Sequence, residues 1–99
     1  MALRGIRGAT TVKANAKREI VSATEELLKE IVSKNGVKPE NIASIIFSAS
    51  KDLDAEFPAV AARNLGWIYT TLFCTNEIAV PGSLRKCVRV LFHVNSTKK

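Results

Sequence analysis

A positive charge in the middle of an apolar strand is the first feature that asks for a chemical explanation. Arg89 stands between Val88 and Val90 in RKCVRVLFHV, residues 85–94. A guanidinium there must reach water, a carboxylate or an anionic ligand, because burying it alone is costly. Pattern alone leaves three readings open: the wet face of an edge strand, a structural ion pair, or a pocket arginine whose planar fork grips an anion. Arg7, with Gly5 and Gly8 close by, can approach a ligand unobstructed or cap a sheet edge. Glu77 follows Cys74-Thr75-Asn76 where a strand gives way to a loop, a common place for functional residues, although a loop glutamate is more often plain surface. Cys74 can join a site through a weak hydrogen bond or be a buried, inert thiol. His93 sits next to the tail and is given a bland role.

Other chemistries find no support. Gly5 and Gly8 do not precede a helix start at dinucleotide-binding spacing, and no phosphate loop, Ser-His-Asp set or paired-carboxylate site is recognisable. One histidine and two cysteines, Cys74 and Cys87, give poor material for a zinc site, and their separation rules out a CxxC motif. Both cysteines are read as reduced thiols. Fifteen Lys and Arg against nine Asp and Glu give a formal charge of +6, which favours an anionic partner. The basic residues do not interleave with aromatics as in single-strand binders, which argues against nucleic acid. Part of the excess, Lys98 and Lys99, is expected to be solvated tail.

The elements that must position these residues follow from periodicity. Residues 2–12, ALRGIRGATTV, read as a strand, and Arg4 and Arg7, three apart, must point to opposite faces of it. Residues 16–34 read as a long helix: Asn15 can cap it, Ile20, Leu27, Leu28, Ile31 and Val32 form its apolar stripe, and Asn35-Gly36 stops it. Pro39-Glu40-Asn41 is a turn, and 42–49, IASIIFSA, is a buried strand. Residues 50–57 form a polar loop, Pro58 opens a short helix to about Leu65, and Gly66 ends it. WIYTTLF, residues 67–73, is rich in aromatic and β-branched side chains and reads as the third strand. A turn at Pro81-Gly82 leads to the fourth, 85–94, with Val88, Val90, Phe92 and Val94 on one face and Cys87, Arg89, Leu91 and His93 on the other. The order β-α-β-α-β-β indicates an α/β (α+β) fold, a mixed β-sheet with helices on one side, in a single domain spanning 1–99. No apolar run is long enough for a bilayer, and Met1–Gly5 lacks the apolar core of a signal peptide, so a cytoplasmic protein without membrane partners is expected. A chain of 99 residues builds only a modest core, and an oligomeric partner would help it.

Several stretches together resemble one family. RGIRGATTV (4–12), FSASKDLDAEFPA (47–59), CTNEIAVPGSL (74–84) and RKCVRVLFHV (85–94) are similar, in order and spacing, to segments of the monofunctional, trimeric α/β chorismate mutases. The resemblance covers nearly the whole chain. It implies a cofactor-free and metal-free isomerase that rearranges chorismate to prephenate on the route to phenylalanine and tyrosine. It also implies a homotrimer with a barrel-like centre and sites in clefts between subunits. The catalytic residues it implies are Arg89, beside the ether oxygen that gains negative charge, Arg7, on a substrate carboxylate, and Glu77, accepting from the ring hydroxyl. Cys74 would lie near Glu77, with Phe57, Ala59 and Arg63 completing the pocket wall across the interface. Fixed cations suit this chemistry, because the transition state separates charge and needs no proton transfer. The family usually continues past this point with a short strand and a tail bearing a site tyrosine and an arginine. Here Asn95–Lys99 end the sequence, and Tyr69 is no substitute. The expectation is an opened cleft, an unpaired sheet edge and weakened activity. The alternative is a catalytically impaired ligand-binding or trimeric scaffold protein of the same fold.

Overall fold

The computed structural model describes residues 1–97, so the tail reading of Lys98 and Lys99 lies outside the described residues. The elements run β1 (Ala2–Thr11), α1 (Lys17–Asn35), a 3-10 turn (Pro39–Asn41), β2 (Ile42–Ala49), α2 (Val60–Asn64), β3 (Thr71–Asn76) and β4 (Cys87–Ser96). One four-stranded sheet has the order β1-β4-β2-β3. β4 is antiparallel to both β1 and β2, and β2 is parallel to β3. β1 and β2 are therefore parallel to each other with β4 between them, and α1 makes the crossover. Arg89 thus sits on an inner strand, which removes the edge-strand reading.

The mixed sheet with helices on one side is as the periodicity implies. The alternation in β4 is kept: Val88, Val90, Phe92 and Val94 are buried with Ile45 and Phe47 of β2, against Ile20, Leu27, Leu28 and Ile31 of α1. Gly8, paired with Val90, faces the same helix. A Cβ there would stand 2.8 Å from Ile31 Cδ1, so glycine lets β1 and α1 close together. The close approach at this glycine is made by the helix.

The helix ends differ in an instructive way. Gly36, at φ 60°, stops α1 in the left-handed conformation, as expected. Asn15 does not cap the start: Ala16 occupies that position with no side-chain cap. Asn15 Oδ1 instead accepts from the Asp54 and Ala55 N–H groups, both at 3.0 Å, and its Nδ2 donates to Asp54 Oδ1 at 2.7 Å. It therefore ties the start of α1 to the loop that carries Phe57.

Two strands are displaced from expectation. The third begins at Thr71, after most of the WIYTTLF stretch. Trp67 turns its ring edge-on to Phe92, with centroids 6.3 Å apart, and so closes the core from a loop. Arg63 holds that loop by donating to Trp67 O at 2.6 Å and Thr70 O at 3.1 Å. The fourth strand begins at Cys87, because Lys86 has φ 48° and cannot extend the ladder. The short helix is tighter than expected, Val60–Asn64 against 58–65, with Pro58 and Ala59 in the turn leading in.

Candidate active site

Strand register decides which side chains share a face. Arg89 pairs with Ala9 on one side and Ser48 on the other, and Arg7 pairs with Leu91. Arg7 and Arg89 therefore lie diagonally across neighbouring strands on the face that no helix covers, about 7–8 Å apart at the backbone. Arg4, paired with buried Val94, points to the helix side, so the two arginines do take opposite faces. Arg7, Ile46, Ser48, Arg89 and Leu91 line an open depression of about 530 Å³.

Glu77 joins them from the end of β3. Its N–H donates to Ala49 O at 2.9 Å, continuing the parallel pairing one residue past the strand. Its carboxylate then turns back over the sheet. Arg89 Nε donates to Glu77 Oε1 at 3.0 Å, and the Ser48 hydroxyl donates to Oε2. The structural ion pair foreseen for Arg89 is present, and it leaves the arginine half exposed, with a side-chain exposure of 51%. Among the described residues only the Nε arm of the guanidinium is engaged. The terminal nitrogens remain available to an anion. The structural reading is thus met without using up the guanidinium.

Ser48 joins this cluster, and the sequence analysis missed it. A serine in an apolar strand carries no signal of its own, and its partner lies 29 residues away. Beyond Arg89 a second depression, of about 280 Å³, is walled by Glu77, Asp52, Ser50, Val80 and Leu84. Asp52, passed over as part of a polar loop, accepts from Ser50 Oγ at 2.6 Å and from the Lys86 N–H at 3.1 and 3.0 Å. The Ser50 hydroxyl first, then the Lys86 N–H, hold its carboxyl below the ordinary value of 3.8.

The remaining predicted residues gather elsewhere. Cys74 pairs with Phe47, so its side chain points to the helix side, not toward Arg89. There it lines a cleft of about 400 Å³ with Phe57, Pro58 and Asn76. Burial pushes its thiol up, with the Ala59 backbone N–H acting against that shift. Burial likewise raises the Cys87 thiol, so both cysteines are uncharged near neutrality. Phe57 is 68% exposed. Ala59 enters α2, and Arg63 has its guanidinium committed to the 67–70 loop. The predicted residues therefore fall in two places: an arginine-carboxylate cluster on the open sheet face, and a cleft beside Cys74 and Phe57 on the helix side of β3. Among the described residues no cluster of metal-ligating side chains occurs, and no helix is long and apolar enough to cross a membrane.

Fold and site together define an α/β domain with two arginines and a carboxylate gathered on one open sheet face. Comparison with known proteins narrows this. The family model of type I chorismate mutase matches residues 3–99. Chorismate mutase AroH of Bacillus subtilis is 45% identical over 97 residues, covering 97% of this chain and 76% of the relative. Chorismate mutase AroH of Thermus thermophilus is 43% identical over 90 residues, covering 90% and 74%. The solved structure of a chorismate mutase from Clostridium thermocellum superposes with a TM-score of 0.95 at 59% identity, covering 97% of this chain and 86% of that one. This chain belongs to the type I chorismate mutase family.

Proposed function

We infer that this chorismate mutase converts chorismate to prephenate on the sheet face that holds Arg7, Glu77 and Arg89. The observation that carries the reading is the pairing of Arg89 with Glu77, at the edge of the open depression that Arg89 shares with Arg7. Chorismate brings two carboxylates and an ether oxygen that becomes negative as its C–O bond breaks. Arg89, tethered through Nε, offers its outer nitrogens to that oxygen, and a fixed donor strengthens the interaction as charge develops. Arg7 binds a carboxylate and helps hold the compact conformer in which the reacting carbons meet. Glu77 has spare lone pairs beyond those used by Ser48 and Arg89, and it accepts from the ring hydroxyl.

The cleft beside Cys74 and Phe57 completes the pocket from a neighbouring copy. In a homotrimer, Phe57, Ala59, Arg63 and Cys74 of one subunit wall the cleft over the arginine face of the next. Exposed Phe73 and Leu91 on the uncovered sheet face support burial between copies, since apolar surface of this kind gains from leaving water. The reading places the enzyme in the cytoplasm, in aromatic amino-acid biosynthesis.

The test follows loss of chorismate absorbance and formation of prephenate. The unaltered chain turns chorismate over, and Arg89→Ala lowers kcat by at least about a hundredfold, the scale set by loss of one charge-stabilising donor. A folded, assembled sample that binds chorismate without forming prephenate would leave a ligand-binding scaffold instead.

A further inference from the structure

Arg89 can act only if β4 enters the sheet in the correct register and orientation, and that entry is unusual. Lys86, the residue before the strand, is the one non-glycine with positive φ among the described residues, at 48°. A left-handed backbone is disfavoured for a residue with a Cβ, so something must hold it. Three contacts converge there. The Val12 N–H donates to Lys86 O at 2.7 Å, and the Lys86 N–H is held between the two carboxylate oxygens of Asp52, at 3.1 and 3.0 Å. Asp52 is itself fixed by Ser50 Oγ at 2.6 Å, and the same hydroxyl accepts from the Cys87 N–H at 2.9 Å. Ser50 N–H returns to Cys87 O at 3.0 Å. The first turn after β2 thus clamps the two residues that precede Val88 and Arg89. Cys87, at the centre of the clamp, is 1% exposed, so the strand has little room to shift around it.

The same strand end also holds the other half of the ion pair. Ser48 binds Glu77, and Ser50, two residues on, binds Cys87 and Asp52. Arg89 and its carboxylate are therefore set against each other by a single short segment, 48–52. We propose that Asp52 is a positioning residue: by holding Lys86 in its left-handed conformation, it sets the direction in which Arg89 leaves β4. This rests on the role given to Arg89 above. Asp52 needs no contact with substrate. Its exposed ion pair with Arg85, at 3.7 Å, is incidental, because the backbone contact works through acceptor oxygens.

Three variants separate this role from general stabilisation. Asp52→Ala removes the acceptor and lets Lys86 relax; kcat falls about ten- to a hundredfold, the effect of a misplaced catalytic group, while KM, governed largely by Arg7 on β1, stays within about threefold. Asp52→Asn keeps an acceptor oxygen without the charge and restores most of kcat. Lys86→Gly, combined with Asp52→Ala, recovers at least about fivefold of the loss, because glycine adopts positive φ unaided. An independent readout is the nitrogen-15 correlation signal of the Arg89 Nε–H, dispersed in the unaltered chain by its bond to Glu77 and moved toward the solvent-exposed position in Asp52→Ala. If Asp52→Ala does not fold, Ser50→Ala, which breaks the link from Asp52 to Cys87, carries the same measurements. A kcat within about twofold of the unaltered chain in folded Asp52→Ala overturns the proposal; so does a loss that Lys86→Gly leaves untouched, on the same scale of misplacement. Absence of turnover in the unaltered chain would count against the mutase reading instead. The Arg89 signal would then still decide for or against positioning.

Discussion

Gly8 offers a quantitative test of how the sheet and helix are fitted together. Replacing it with alanine places a methyl 2.8 Å from Ile31 Cδ1 and 3.3 Å from Leu27 Cδ1. The nearer contact is about 0.7 Å short of the roughly 3.5 Å at which carbon atoms rest comfortably. Ile31 is only 7% exposed, so its terminal methyl must move within packed surroundings. Overpacking of this kind costs about 1–3 kcal/mol, and because a side-chain end is displaced, the low half of that range applies. Alanine also removes about 0.4–1 kcal/mol of unfolded-chain freedom, which partly offsets the loss. The expected net destabilisation is about 1 kcal/mol, a fall in Tm of about 4–8 °C for a domain of this size. Thermal melts at one fixed protein concentration measure it, which keeps assembly from shifting the midpoint. The decisive comparison adds Ile31→Val, which deletes the obstructing Cδ1. Alone it costs about 1 kcal/mol. If the clash is the cause, the double variant is no less stable than Ile31→Val by itself, a coupling of about 1 kcal/mol. Additive losses, or a Gly8→Ala chain as stable as the original, would refute the packing argument.

Two further outcomes are expected. Asn15→Ala removes three hydrogen bonds to the 54–55 loop, all of them exposed, so water compensates much of the loss. A net cost of about 1 kcal/mol in ordering the Phe57 loop raises KM up to about fivefold with little change in kcat, as Michaelis–Menten analysis would show; an unchanged KM excludes the tether. The Asp52 carboxyl is held below its ordinary 3.8 chiefly by the Ser50 hydroxyl, with the Lys86 N–H adding to it, while Arg85 and the Cys87 thiol also face it. A depressed native value means that its stabilisation is complete above 3.8 and lost as pH falls through the lower native one. The gap in Tm between the unaltered chain and Asp52→Asn should therefore close as pH is taken from about 5 to about 2. A gap that persists at the acid end would contradict the assignment.

The parts of the fold legible in the sequence are those where local pattern and tertiary demand agree. IASIIFSA is a strand at 42–49 because its apolar run has nowhere to go but the core, and the alternation through Val88, Val90, Phe92 and Val94 survives because one face of β4 meets α1. Trp67-Ile68-Tyr69 has high strand propensity, yet it forms a loop: Trp67 is worth more packed on Phe92, and Arg63 satisfies the loop carbonyls. No local pattern announces that exchange. Asn15 shows the same competition, with the right residue type for a cap serving a distant loop instead. In the site, Arg89 was conspicuous because a charge interrupts an apolar strand. Ser48 and Asp52 were not, since polar residues at a strand end and in a loop look ordinary until the backbone folds them onto Glu77 and Lys86.

The tether on Arg89 has a consequence for how the cleft can change over evolutionary time. Its inner nitrogen is occupied by Glu77 within the same chain, and the side chain is still half exposed. The charged end is therefore aimed before any ligand arrives, and little reordering accompanies capture. On the proposed reading, the surrounding walls, drawn from other loops and from neighbouring copies, are relieved of the task of orienting it. Such a division would allow those walls to be trimmed, lengthened or exchanged, altering access and affinity while the arginine-carboxylate pair keeps its geometry.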